Sequence, residues 1–294
     1  MDTPLLPPGR TVELPGRGAT FVRWVEADPG APTLLLLHGW TATADINWWA
    51  CYGPLSTRFN LVALDHRGHG RGIRDGRPFT LEDATDDAYE LVRTLGLRSV
   101  IAVGYSMGGP VAQLLWQRHP EVVDGLVLCA TSAYFRQSRT EQLLGLAAWG
   151  ASTACRNLPA GSVQSLAERV IGSRSARDGL AHDWRRILEA GDAILRHDAR
   201  GWVGDIDVPT ACVAGLADVV VPAARQRELG RSIPGCRTFV VPRGHDMCAV
   251  APSTFVRTLL RACEDVARRI AAAPVAAPVP APAVVSVRVA ATAA

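Results

Sequence analysis

The sequence of 294 residues contains no lysine, so all 31 of its basic residues are arginines. With 28 acidic residues the formal net charge is only +3, and no long block of like charge occurs. Proteins that bind nucleic acid or an anionic membrane surface usually concentrate basic residues in one segment or patch. The composition therefore predicts neither partner, and it carries no information on the oligomeric state.

The chain also lacks an uninterrupted apolar segment of about 18 residues, the length that a membrane-spanning helix needs. Its amino terminus, MDTPLLPPGR, has no basic segment followed by an apolar one, so we expect no signal peptide. The seven cysteines include no C-x-x-C pair, and Cys129 and Cys212 lie within apolar runs. Because such cysteines usually serve as small hydrophobic residues, we expect reduced thiols and a cytoplasmic protein.

Short apolar runs alternate with amphipathic stretches in the first half of the chain. Continuous runs that end near glycine are typical of strands buried on both faces. Thr80 begins a helical pattern with Asp83 three residues on, a weak capping box. The alternation predicts an α/β fold with a mostly parallel sheet and right-handed crossovers. The predicted strands here are Thr20–Val25, at an antiparallel edge, Thr33–Leu37, Leu61–Leu64 and Val100–Val103.

This strand rhythm stops after Leu126–Leu128 and resumes at Thr210–Ala214 and Thr238–Val241. The intervening residues show helical patterns, such as Asp183–Leu195, and no convincing strand. From Ala271 onward frequent prolines among alanine and valine predict disorder. The predicted division is an α/β core of residues 1–132 and 206–270, a helical cap inserted at residues 133–205, and a disordered tail of residues 271–294.

Five large aromatic side chains belong to the predicted cap or its border. They either line a substrate pocket or pack the cap onto the core, and the sequence favours neither alternative. These residues are Tyr134, Phe135, Trp149, Trp184 and Trp202.

Residues 104–108 read Gly-Tyr-Ser-Met-Gly and fit the G-x-S-x-G pattern of a nucleophile elbow. In such an elbow a strand turns at once into a helix, which exposes the serine in a strained conformation. The flanking glycines remove the Cβ atoms that would clash in the turn. Because an apolar run precedes the motif and an amphipathic stretch follows it, Ser106 is the predicted nucleophile.

A serine nucleophile needs a base to take its proton. Of the seven histidines, His245 follows the last apolar run, where a loop can reach Ser106. We expect His38 to brace the loop after the Thr33–Leu37 strand, and His66 and His69 to shape a turn. The remaining three lie in polar, helical surroundings that predict solvent exposure: His119, His182 and His197.

The acid that orients the base is expected after a strand between Ser106 and His245. Asp218 follows the Thr210–Ala214 run, so we predict that it fills this role. Two other acids compete with it. Asp246 adjoins the histidine and would tend to point elsewhere, and Asp205 precedes its strand.

Acyl transfer also requires backbone N–H groups aimed at the developing oxyanion. One donor is expected from Met107, the residue after the nucleophile. The other is expected from Trp40, in the His-Gly-Trp segment that follows the Thr33–Leu37 strand.

Together these segments, with Asp-His-Arg-Gly-His-Gly at residues 65–70, resemble serine hydrolases of the α/β-hydrolase fold over roughly residues 20–270. The resemblance implies an eight-stranded sheet, helices on both faces, a cap and catalysis through an acyl-enzyme without metal or organic cofactor. The combination of His-Gly-Trp with Ser-Met-Gly-Gly is similar to arylesterases and cofactor-free haloperoxidases or perhydrolases. Residues 41–49 depart from the usual loop of that group. Epoxide hydrolases and haloalkane dehalogenases of this fold carry aspartate at the elbow, so Ser106 argues against both activities.

The expected activity is hydrolysis of a small or medium carboxylic ester. A thioesterase, amidase, C–C bond hydrolase, acyltransferase or perhydrolase would use the same residues, so these alternatives stay open. A non-catalytic, ligand-binding member of the fold is an alternative of another class, and the presence of all three triad candidates speaks against it.

Overall fold

A computed structural model describes residues 6–135 and 182–272. The described part contains one eight-stranded sheet with the order β1-β2-β4-β3-β5-β6-β7-β8. Strands β3 to β8 run parallel to one another, and β1 and β2 form an antiparallel edge. The strands are β1 Gly9–Leu14, β2 Gly18–Val25, β3 Thr33–Leu37, β4 Asn60–Leu64, β5 Val100–Tyr105, β6 Val123–Cys129, β7 Thr210–Gly215 and β8 Arg237–Val241.

Helices cover both faces of the sheet. Thr80 caps α3 by accepting a hydrogen bond from the Asp83 backbone N–H at 2.9 Å, as the capping pattern predicted. The helices are α1 Ala44–Trp48, α2 Tyr52–Ser56, α3 Leu81–Thr94, α4 Gly108–Arg118, α5 Trp184–Arg196, α6 Ala223–Ser232, α7 Met247–Val250 and α8 Pro252–Ala272. The last helix extends two residues beyond the predicted start of the tail, because the first proline of that region is Pro274.

Alternate residues of one strand enter two separate hydrophobic cores. In β3, Leu35 and Leu37 pack on the face that carries α3 and α4. Leu34 and Leu36 pack on the opposite face, where α8 supplies Phe255 and Leu259. Both faces are buried, which explains why the strand is continuously apolar rather than alternating. The predicted α/β-hydrolase fold is confirmed.

The chain leaves and re-enters this core at neighbouring points. The Ala199 N–H donates to the Ala133 carbonyl at 2.7 Å, and Tyr134 and Asp198 form an antiparallel bridge. Of the predicted cap, the structure describes residues 133–135 and 182–205. Trp149 and the predicted tail from Ala273 onward lie outside the described residues.

Candidate active site

Ser106 lies in the sharp turn between β5 and α4. Its φ angle is 52°, in the left-handed region that residues other than glycine rarely adopt. A Cβ atom on Gly104 would lie 2.2 Å from the Gly108 carbonyl oxygen, and one on Gly108 would lie 2.1 Å from the Leu37 carbonyl oxygen. The two glycines of the pattern are therefore required by close backbone contacts, as predicted for an elbow.

The segments that follow the neighbouring strands β3 and β6 each contain a residue in the same strained conformation. Thr41 and Ala130 are the other non-glycine residues with positive φ in the described ranges, at 57° and 47°. The hydroxyl of Thr131 donates to the Ser106 carbonyl at 2.9 Å and occupies the space where Gly109 lacks a side chain. Residues held in such conformations tend to cluster at functional sites. Sequence reasoning missed Thr131, which no motif marks.

Ser106, His245 and Asp218 form one chain of hydrogen bonds. The Ser106 Oγ lies 3.0 Å from His245 Nε2, and His245 Nδ1 lies 2.8 Å from Asp218 Oδ2. Because the carboxylate can only accept, Nδ1 carries the proton and Nε2 is left to accept from the serine hydroxyl. The structure thus brings together all three residues that the sequence predicted.

The carboxylate of Asp218 is buried and held by several donors. Its Oδ1 accepts from the backbone N–H groups of Val220 and Val221, each at 2.9 Å. Its Oδ2 also accepts from the Gln226 side-chain amide at 2.8 Å. The Gln226 oxygen in turn accepts from the Gly215 N–H at 3.0 Å, which ties α6 to the end of β7. Sequence reasoning missed Gln226, because it reaches the site only through packing of α6.

The two competing acids lie elsewhere. Asp246 is exposed and immediately precedes α7, and Asp205 is exposed on the surface before β7. The His245 loop is instead held by the hydroxyl of Tyr105, which donates to the His245 carbonyl. Burial raises the pKa of Tyr105, so this hydroxyl stays protonated and remains a donor.

The loop after β3 contacts the elbow directly. A Cβ atom on Gly39 would lie 3.3 Å from the Ser106 Cβ, and the Gly39 N–H donates to Asn47 Oδ1 at 3.0 Å. His38 Nδ1 donates to the Gly39 carbonyl at 2.8 Å, while Nε2 accepts from the His66 N–H at 2.9 Å. This pattern fixes a neutral imidazole, and burial lowers the pKa of His38 accordingly. His38 braces the loop, as predicted.

Two backbone N–H groups in the segments that meet at Ser106 make no hydrogen bond to another described residue. Among the hydrogen bonds between described residues, none uses the backbone N–H of Trp40 or of Met107. Met107 follows the nucleophile and Trp40 follows the glycine that touches it. Both predicted oxyanion donors therefore lie in the two segments that meet at Ser106.

Known proteins resemble this chain over most of its length. The family model of the alpha/beta hydrolase fold matches residues 32–252. The chain belongs to this family. Among relatives, pimeloyl-[acyl-carrier protein] methyl ester esterase of Chromobacterium violaceum is 28% identical over 262 residues, which is 82% of this chain and 98% of that protein.

Solved structures of other alpha/beta hydrolases share the fold. The enol-lactonase of Burkholderia xenovorans LB400 has a TM-score of 0.70 at 22% identity and covers 87% of this chain and 100% of its own. A bromoperoxidase of Bacillus anthracis has a TM-score of 0.70 at 17% identity and covers 88% of this chain and 100% of its own. Family membership and the esterase relatives support a hydrolase with esterase-like function.

The sequence predicted that His119, His182 and His197 are solvent-exposed. This prediction is wrong for His182 and His197. His182 is buried and its Nδ1 accepts from the Gly70 N–H at 2.9 Å. His197 is buried near Gln113. Burial lowers the pKa of each to about 4. Their sequence neighbours are polar, but α5 packs its flanking residues onto the core. His119 is partly buried, stacked on Tyr89 at 3.8 Å.

The aromatic side chains predicted near the cap pack mainly onto the core. Tyr134 and Phe135 belong to the core on the α4 face. Trp202 stacks on Trp116 with ring centroids 6.3 Å apart, and Trp184 is buried against His182 at 5.5 Å. The packing alternative therefore describes Tyr134, Phe135 and Trp202, whereas Trp184 is buried against a residue of the predicted cap itself.

Residues 6–135 and 182–272 show neither a metal-binding cluster nor a membrane-spanning helix. Within these ranges no group of three or more His, Cys, Asp or Glu is arranged to hold a metal ion. No helix there is long and apolar enough to cross a membrane.

Proposed function

We propose that this alpha/beta hydrolase cleaves a small or medium carboxylic ester through an acyl-enzyme. Ser106 attacks the ester carbonyl while His245 takes the serine proton, and Asp218 stabilises the resulting imidazolium. The N–H groups of Met107 and Trp40 hold the oxyanion. His245 then gives its proton to the departing alcohol. In the second half of the reaction His245 takes a proton from water, which attacks the acyl group, and the acid leaves as Ser106 regains its proton.

The observation that carries this proposal is the unbroken hydrogen-bond chain from Asp218 through His245 to the strained Ser106. A ligand-binding member of the fold would have no need of a base within 3.0 Å of the serine hydroxyl. The methyl ester esterases among the relatives support an ester over an amide.

We further propose that residues 133–205 form an insertion that covers this site. The adjacent exit and return points at Ala133 and Ala199 support an insertion. The return helix α5 contacts the loop at Trp40, through Ile187, and the turn at Gly68, through Asp183. The segment therefore re-enters the core beside the proposed oxyanion loop.

The test is labelling with a fluorophosphonate, followed by mass mapping and hydrolysis of p-nitrophenyl esters of increasing acyl length. Ser106→Ala should abolish labelling and turnover with a melting temperature near that of the wild type. Ser56→Ala, at a half-buried serine in α2 whose hydroxyl donates to the Gly53 carbonyl, is the matched control and should retain both. Undiminished labelling of Ser106→Ala would refute the assignment of the nucleophile. Thioester and amide substrates assayed beside the esters test the alternatives.

A further inference from the structure

The side chain of Trp40 is bound to a helix far away in the sequence. Its indole N–H donates to the Ile187 carbonyl in α5 at 2.7 Å. In an α-helix this carbonyl already accepts from the N–H four residues later, that of Gly191. The indole therefore meets α5 at the turn that joins Ile187 to Gly191.

Gly191 leaves the space that the indole ring occupies. A Cβ atom on Gly191 would lie 2.8 Å from Trp40 Cζ2, and 3.3 Å from both Cε2 and Cη2. Real Cβ atoms essentially never approach within 3.0 Å of another heavy atom. Glycine weakens a helix interior relative to alanine, so its presence in mid-helix calls for a local reason. Contact with the Trp40 ring supplies one.

Both partners of this contact are fixed from elsewhere. The Trp40 backbone is flanked by Gly39, whose N–H donates to Asn47 Oδ1 at 3.0 Å, and by Thr41 in the left-handed conformation. Helix α5 is held by the Asp183 N–H, which donates to the Gly68 carbonyl at 2.9 Å. It is also held by Glu189, which accepts from the Phe79 N–H at 2.7 Å. A shift of the ring must therefore either break the hydrogen bond from the indole N–H to Ile187, by rotation of the side chain, or displace the Trp40 backbone.

We propose that Gly191 is a positioning residue, which sets the orientation of the Trp40 backbone N–H by admitting its indole ring against α5. The inference rests on the proposed ester hydrolysis, in which that N–H binds the oxyanion. It predicts that a side chain at position 191 weakens binding of the tetrahedral state more than binding of the ground-state ester.

The first test is Gly191→Ala. We expect kcat for a p-nitrophenyl ester to fall by about 10- to 100-fold, less than or comparable to the loss of a whole oxyanion donor, with KM little changed. Affinity for phenylboronic acid, which mimics the tetrahedral state on the serine, should fall in parallel. Asp192→Ala, one position along α5, is the matched control and should leave both constants unchanged. Circular dichroism and melting temperature report whether each variant is folded.

The second test removes the clash instead of creating it. Trp40→Phe lacks the indole atoms nearest Gly191 and the N–H that binds Ile187, so kcat should fall in this variant also. In the Trp40→Phe background, Gly191→Ala should have no additional effect on kcat or on phenylboronic acid affinity. An equal Gly191→Ala effect in both backgrounds would indicate general damage to α5 and would overturn the inference.

Three outcomes distinguish a failure of this inference from a failure of the proposed function. If wild-type Ser106 is labelled and active while folded Gly191→Ala keeps full kcat and boronic acid affinity, only the positioning role is wrong. If Gly191→Ala does not fold, the Trp40→Phe variant decides the matter, and full kcat in that variant would show that the positioning role is wrong. If the wild type shows neither labelling nor esterase activity, the proposed function fails and this inference with it.

Discussion

The Asp218 carboxylate accepts hydrogen bonds from two backbone N–H groups, from Gln226 and from His245. Such an arrangement stabilises the charged carboxylate in a buried position and leaves one oxygen aimed at the imidazole Nδ1. Since only a carboxylate accepts on both oxygens, the identity of this residue determines the tautomer of His245. With the proton on Nδ1, Nε2 is left to accept the hydrogen bond from the Ser106 hydroxyl, as the proposed mechanism requires.

Asp218→Asn should therefore reduce kcat by about 10⁴-fold, the loss known for a protease triad whose histidine is held in the wrong tautomer. The fold should be retained, because an amide fills the same space. Steady-state kinetics on a p-nitrophenyl ester measure the effect. Asp246→Asn is the control and should be close to wild type, since Asp246 is exposed. A large loss of kcat in Asp246→Asn together with a small loss in Asp218→Asn would show that Asp246, and not Asp218, orients His245.

The three residues of the proposed triad could be located from the sequence because each follows a recognisable strand. The residues that hold them could not be predicted, because no motif specifies the residue type at their positions. Thr131 follows β6, Gln226 lies in α6, and Tyr105 acts through a hydroxyl on the opposite face of the sheet from the elbow's helix. Only packing of the elements brings these groups to the site.

At the scale of elements, the turn at residues 65–70 is fixed to α3 by a buried ion pair. Arg67 donates to both oxygens of Asp87, at 2.6 and 2.9 Å, and the side chains are only 4% and 1% exposed. Arg17 contributes a further donor to the same carboxylate. Loss of Asp87 would leave the buried Arg67 with only its longer contacts to Asp75, at 3.4 Å, and Asp83, at 3.8 Å.

Asp87→Ala should lower the free energy of unfolding by about 3–5 kcal/mol, as expected when one partner of a buried pair is removed. Asp86→Ala, one position earlier in α3, is the matched control. Asp86 pairs with Arg118 at 2.9 Å, but its side chain is 26% exposed and that of Arg118 is 38% exposed. Its removal should cost about 1 kcal/mol or less. Urea denaturation measures both values, and equal losses would contradict the expected difference.

Most strands could be located from the sequence because burial on both faces makes them continuously apolar. Strand β1 was missed because it is a largely exposed edge strand, and its sequence GRTVEL contains no apolar run. Helices α1 and α2 were missed because five residues are too few to show a helical period. Both lie on the α8 face of the sheet, where Trp48 and Tyr52 are buried.

The stacked pair of Trp202 and Trp116 gives an element-scale test of the aromatic residues near the proposed cap. Trp202→Ala should lower the free energy of unfolding by at least about 1 kcal/mol, because an aromatic pair contributes about that much beyond its buried area. The ranking of ester substrates by kcat/KM should not change. A changed ranking at unaltered stability would instead support a role of Trp202 in the substrate pocket.

For the molecule as a whole, five buried histidines should determine how the stability of the fold responds to acid. Burial disfavours the charged imidazolium and lowers the pKa of all five of these residues from the ordinary value of about 6.5. Four have ring centroids within 4.5–5.7 Å of a neighbouring imidazole, so a positive charge on one would also repel protonation of the next. The residues are His38, His66, His69, His182 and His197.

Acidification should therefore destabilise the fold well above the pH at which carboxylates titrate. The folded pKa of His182 and of His197 is about 4, whereas both titrate near 6.5 in the unfolded chain. The unfolded state thus binds more protons below about pH 6.5, so stability is fully present above that pH and is lost as pH falls toward 4. Each of the two should account for about 3 kcal/mol at pH 4. Urea denaturation from pH 8 to pH 4 measures the loss, and His197→Gln should make the decline shallower. A free energy of unfolding that stays constant from pH 6.5 to pH 4.5 would show that these imidazoles are not held neutral by the fold.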